Sequence, residues 1–166
     1  MDIGAVTPTS RHRERPLRAW KRGRTERLGA IPDGKASQPV APGKWSPKEI
    51  VGHLIDSASN NHGRFVRAQL TDDLFFPGYE QDEWVRVQQY SRAKWTDLIA
   101  LWRGFNYHIA NVVEHIPSDI ASRQRTHHNL DQIAWKAVAT DQPVTLEYFV
   151  RDYVAHLKHH LSQIPQ

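Results

Sequence analysis

A chain of 166 residues, 39% of them apolar, is long enough for one domain with its own core. It contains no cysteine, which excludes disulfides, thiolate nucleophiles and Cys-ligated zinc or iron–sulfur centres. The net charge of +4 is unevenly placed, because residues 1–35 carry nine Lys/Arg and four acids while the remainder is close to neutral.

Residues 1–28 are Arg-rich and read as a solvated, poorly ordered leader or an irregular first helix. The stretch Arg15–Leu28 has a weak amphipathic pattern interrupted by Gly23. A basic arm suits an anionic partner, but its one aromatic residue, Trp20, is too few for base stacking, so nucleic acid is not expected. No apolar run approaches the ~18 residues of a membrane span, and no apolar core follows the N-terminus as in a secretory signal. A cytoplasmic protein without membrane contact is therefore expected.

From residue 29 onward the chain reads as one helical domain. Trp45-Ser46-Pro47-Lys48-Glu49-Ile50 is a helix start: Ser46 caps, Glu49 closes a capping box, and Pro47 fills the first helical position. Ile50, Val51, Leu54, Ile55, Ala58, Phe65 and Val66 carry that helix towards Leu70. A short helix is expected around Glu80–Gln89. A second long helix begins near Ser91 or Trp95 and ends at Ile116, with an apolar stripe through Leu98, Trp102, Phe105, Ile109 and Val112. Residues 117–143 form a long crossover. The last helix runs from Val144 or Thr145 to Gln163, on the stripe Leu146, Phe149, Val150, Tyr153, Val154, Leu157, Leu161. The pattern predicts an all-α fold, a four-helix bundle with long crossover connections.

Ten histidines are many for such a chain. His156 and His160 are one helical turn apart on one face, the spacing at which a helix offers two nitrogens to one ion. His53 lies beside the apolar face of the first long helix, and facing bundle helices are about 8–10 Å apart, a gap that imidazole–metal–imidazole spans. Three imidazoles leave a fourth position open for water or substrate, and zinc and nickel both suit such a donor set. Asp56 and Asp152 are placed to orient an imidazole or to act as proton acceptors. Tyr79, Asp82, Trp84, His127, His128 and Trp135 are candidate pocket walls. His62, His108 and His115 read as solvated or boundary side chains, with His62 turned away from His53.

Gly43-Lys44-Trp45-Ser46-Pro47-Lys48-Glu49-Ile50-Val51-Gly52-His53-Leu54 resembles the GKWS-x-x-E-x-x-x-HL opening of the DinB/YfiT-like family. His156-Leu157-Lys158-His159-His160-Leu161-Ser162-Gln163-Ile164 is similar to that family's closing H-x-x-HH-x-x-QI helix. The resemblance implies a four-helix bundle whose metal triad falls on His53, His156 and His160. It also implies a metal-dependent hydrolase, or a transferase acting with a low-molecular-weight thiol, that takes a small-molecule substrate and often forms a homodimer. Lacking an evident general base, the thiol branch is preferred. The competing expectation is a non-catalytic binding protein with a structural or vestigial metal and a basic arm for an anionic partner.

Overall fold

The structure, a computed structural model, describes Gly23 and residues 25–165. Residues 1–22, and with them most of the expected leader and of the Arg15–Leu28 pattern, lie outside the described residues. Helical turns at 25–29 are followed by α1 (Asp33–Ala36), α2 (Pro47–Arg67), α3 (Gln81–Gln88), α4 (Trp95–Glu114), α5 (Ser118–Ser122), α6 (Leu130–Ile133) and α7 (Leu146–Ser162). Among the described residues there is no strand, only isolated bridges between Leu74 and His128 and between Arg125 and Val144. The all-α expectation holds. No described helix is long and apolar enough to cross a membrane.

The α2 start follows the expected chemistry. Ser46 Oγ accepts the Glu49 amide at 3.3 Å and Glu49 Oε2 accepts the Ser46 amide at 2.8 Å, so two otherwise orphaned donors are satisfied. The helix then runs through the middle of the molecule, along α4 on one side and against α7 and α3 on others. Its first turns are buried nearly all round, from Ile50 to Ala58. Gly52 and Gly63 each cost about 1 kcal/mol of helix propensity. Each buried Ile, Leu or Phe contributes about 1.5–3 kcal/mol. Packing therefore decides that α2 forms. It ends at Arg67 and continues in tighter turns to Leu70; the buried Arg125 donates to the Ala68 carbonyl at its end at 3.0 Å, and Arg64 in its last turn donates to Pro77 O at 2.8 Å. These cations meet the negative end of the helix dipole.

α4 buries Trp95, Leu98, Ile99, Trp102, Asn106 and Ile109, and Phe105 of the expected stripe is partly buried against the same core. The buried face also carries a polar pair: the Tyr153 hydroxyl donates to Asn106 Oδ1 at 3.0 Å inside the core. Its N-terminus is capped from a distance. Asp33 Oδ1 accepts the Trp95 amide at 2.9 Å, and Asp33 Oδ2 meets the buried Lys48 Nζ at 3.0 Å. α7 is capped by Thr145, whose hydroxyl accepts the Tyr148 amide at 3.0 Å.

The crossover is not featureless. Asn129 Oδ1 accepts the Phe76 amide and its Nδ2 donates to the Phe76 carbonyl, at 3.1 and 2.8 Å, imitating a strand partner. This pins 117–143, including α5 and α6, to the segment that follows α2. Such short helices escape a periodicity argument because they are too brief to show a stripe.

Candidate metal centre

His53 is fixed on α2 by the packing just described, and α7 carries His156 and His160 on the face turned towards it. His53 Nε2 lies 3.1 Å from His156 Nε2. One ring nitrogen from each of His53, His156 and His160 falls within 4.8 Å of the others. Two nitrogens on one tetrahedral zinc ion stand about 3.3 Å apart, given bonds of about 2.0–2.1 Å. The cluster therefore has the dimensions of a three-nitrogen site.

Burial sets the protonation state. It holds His53 down to about 4, helped by the facing His160. His156 is held at about 3 by burial, then by His160, His53 and His159. His160 is lowered as well, by burial and then by His159. All three imidazoles are neutral at pH 7, the form in which a ring nitrogen offers a lone pair to a cation. Two buried ring nitrogens, His53 Nδ1 and His160 Nδ1, have no hydrogen-bond partner. An unsatisfied buried polar atom costs about 1–3 kcal/mol. Three neutral ring nitrogens at this spacing fit a divalent ion as nitrogen ligands.

A supporting layer surrounds the rings. Ser57 Oγ is 3.4 Å from His156 Nδ1, and Asn61 Nδ2 donates to Ser57 Oγ at 3.3 Å. His53, Ser57 and Asn61 follow one another at four-residue steps along one face of α2. With His156 Nδ1 turned to Ser57, Nε2 is left facing His53. The Trp45 ring covers the cluster, its centroid 5.1 Å from that of His53 and 6.4 Å from that of His160.

One turn after His53, Asp56 Oδ1 accepts the Tyr90 hydroxyl at 2.6 Å and Gln88 Nε2 at 2.7 Å. Its Oδ2 is buried without a partner. Burial pushes the carboxyl up, and the two hydrogen bonds oppose the rise only in part. Tyr90 reaches Asp56 by lying directly on the α2 backbone at Gly52, where a Cβ would stand 2.1 Å from the ring. Gln89 turns the chain there with φ 52°, in the left-handed region.

The other candidates separate into two groups. Tyr79 lies on the Asp56 side: burial and the Asp56 charge push its phenol up to about 12, with Arg64 and Ser57 pulling the other way. Trp84 packs on Tyr79 at 4.8 Å between centroids, and Trp135 packs on His159 at 5.2 Å. Asp82 is exposed on α3. His127 stacks on Phe75 and sits 3.5 Å from Asp73, while buried His128 holds the crossover through Gln142 O and the Leu130 amide. Asp152 does not bond to His156: its two oxygens accept the Trp135 and Lys136 amides at 2.8 and 2.9 Å. Sequence reasoning missed Ser57, Asn61, Gln88 and Tyr90. Only the four-residue spacing of Ser57 and Asn61 from His53 signalled any of them.

With this geometry in view, the relationships of the chain are clear. Residues 17–164 match the DinB superfamily, and the chain belongs to it. A protein of Oceanobacillus iheyensis named as a putative metal-dependent hydrolase is 22% identical over 142 residues, covering 83% of this chain and 79% of the relative. The fold is that of YfiT from Bacillus subtilis, described as a probable metal-dependent hydrolase with an unusual four-helix bundle topology. The TM-score is 0.75 at 18% identity, covering 99% of this chain and 88% of that one. The mycothiol-dependent maleylpyruvate isomerase is also similar in fold, with a TM-score of 0.60 at 12% identity over 90% of this chain and 59% of that one. The expected four-helix bundle is thus the fold of this chain.

Proposed function

We propose that the protein is a metal-dependent enzyme acting on a small molecule, in which His53, His156 and His160 hold one divalent ion, zinc or nickel. The observation that carries this reading is the convergence of three neutral ring nitrogens within 4.8 Å of one another. The ion would supply a Lewis-acid centre that lowers the pKa of a water or thiol reaching its open position.

The chain's own groups divide the remaining work. Ser57 orients His156, and Trp45 excludes water from one side of the cluster. Asp56 ties α2 to Gln88 and Tyr90 through its Oδ1. Asp152 is occupied by two backbone amides and plays no proton role. A thiol whose pKa the ion lowers needs no separate general base, so we favour transfer of a low-molecular-weight thiol over hydrolysis. The thiol dependence named for the isomerase of similar fold supports that preference.

Metal analysis of untagged protein after gel filtration tests the site. About one equivalent of a divalent ion is expected, and it should be lost in His53→Ala and in His156→Ala with helicity retained. Unchanged metal content in both variants overturns the triad. A panel of thiols with electrophilic and ester substrates then tests the reaction. Ester turnover without a thiol would assign hydrolysis, and metal without any turnover would assign the non-catalytic binding reading.

A further inference from the structure

Away from the triad, the packing of α2 on α4 makes a second meeting of imidazoles. His62 Nε2 and His108 Nε2 lie 3.1 Å apart, with ring centroids at 4.8 Å and the ring planes inclined at 49°. His62 follows His53 by nine residues, which on a helix rising 1.5 Å per residue places it about 13 Å along the axis. The two clusters are therefore too far apart to share an ion.

Several features make this pair more than a chance contact. The rings come from different helices, α2 and α4, which pack on one another, so the register of the two helices brings them together. Nitrogens on a tetrahedral zinc ion stand about 3.3 Å apart and at right angles about 2.9 Å, and the observed separation lies between. His62 is half-buried while His108 is exposed, so the pair opens to solvent on one side, where water would complete the coordination. Burial and the neighbouring His108 hold His62 below its ordinary value, which leaves it neutral near pH 7.

We propose that His62 and His108 form a second, solvent-open binding site for a divalent transition-metal cation of the zinc, nickel and copper group, which fastens α2 to α4. With two protein ligands it is weaker than the three-histidine cluster, and it is filled in addition to that cluster. Its occupancy does not depend on whether the triad is catalytic.

The test is zinc titration of the full, untagged chain by calorimetry and equilibrium dialysis, taken to about 1 mM free zinc. Two classes of site are expected, one equivalent each. The weaker class should be lost in His62→Ala and in His108→Ala while the tight equivalent remains. In His156→Ala the tight class should go while the weaker stays. Copper(II) bound to His156→Ala should give a paramagnetic resonance spectrum with two-nitrogen coupling that collapses in His156→Ala/His108→Ala. Melting curves check that both alanine variants remain folded. A single equivalent at saturating zinc, or a weaker class unchanged in both single variants, overturns the proposal. In either case the tight equivalent would be untouched, so failure here and failure of the triad are separately visible.

Discussion

Ser57 shows how a small hydroxyl governs a larger group. It stands 3.4 Å from His156 Nδ1 and is itself held by Asn61, so it fixes which face of the imidazole is presented to His53. Partners of this kind typically change metal affinity by about 10–100-fold when removed. Ser57→Ala is expected to weaken the tight ion within that range without loss of fold, as read by competition with a chromophoric chelator. The triad residues were legible because His156 and His160 are neighbours on one helix, and because the chain around His53 resembles a known opening. Ser57 was not legible, since its value depends on α7 lying beside α2. The same holds for His62 and His108, which the sequence places 46 residues apart and only the register of two helices brings together.

At the scale of the element, α2 carries two glycines with opposite meanings. A Cβ at Gly52 would sit 2.1–2.7 Å from three atoms of the Tyr90 ring, whereas at Gly63 the nearest atom is the Arg67 guanidinium at 3.8 Å. Helix propensity alone favours alanine at either site by about 1 kcal/mol. At Gly52 the overpacking cost of about 1–3 kcal/mol outweighs that gain, and displacing Tyr90 also strips the hydrogen bond from Asp56. Gly52→Ala is therefore expected to destabilise by about 1–2 kcal/mol, and Gly63→Ala to stabilise by up to about 1 kcal/mol, in denaturant melts. Helix starts were readable in the sequence because the capping box at Ser46 and the Thr145 cap are local chemistry. The burial of Asn106 on α4 was not, because its partner Tyr153 lies 47 residues away.

For the whole molecule, the site joins chain segments 103 residues apart and so couples folding to protons and metal alike. Without metal, His53 at about 4 and His156 at about 3 lie below the unfolded value near 6.5. The unfolded chain then binds more protons as pH falls, so stability is full above about 6.5 and declines towards pH 4, on the order of 1–2 kcal/mol per histidine by pH 5. Melting temperature against pH with and without chelator reads this directly, and the metal-loaded protein should start higher, by about 2.7 kcal/mol at a hundred times its dissociation constant. Asp152 sits on the same helix as two of the three imidazoles, yet its carboxylate closes a latch on the Trp135 and Lys136 amides. A mutational scan would therefore score it alongside the chemistry: Asp152→Asn frees the loop that carries Trp135 and should raise KM more than it lowers kcat, the signature of a door left ajar.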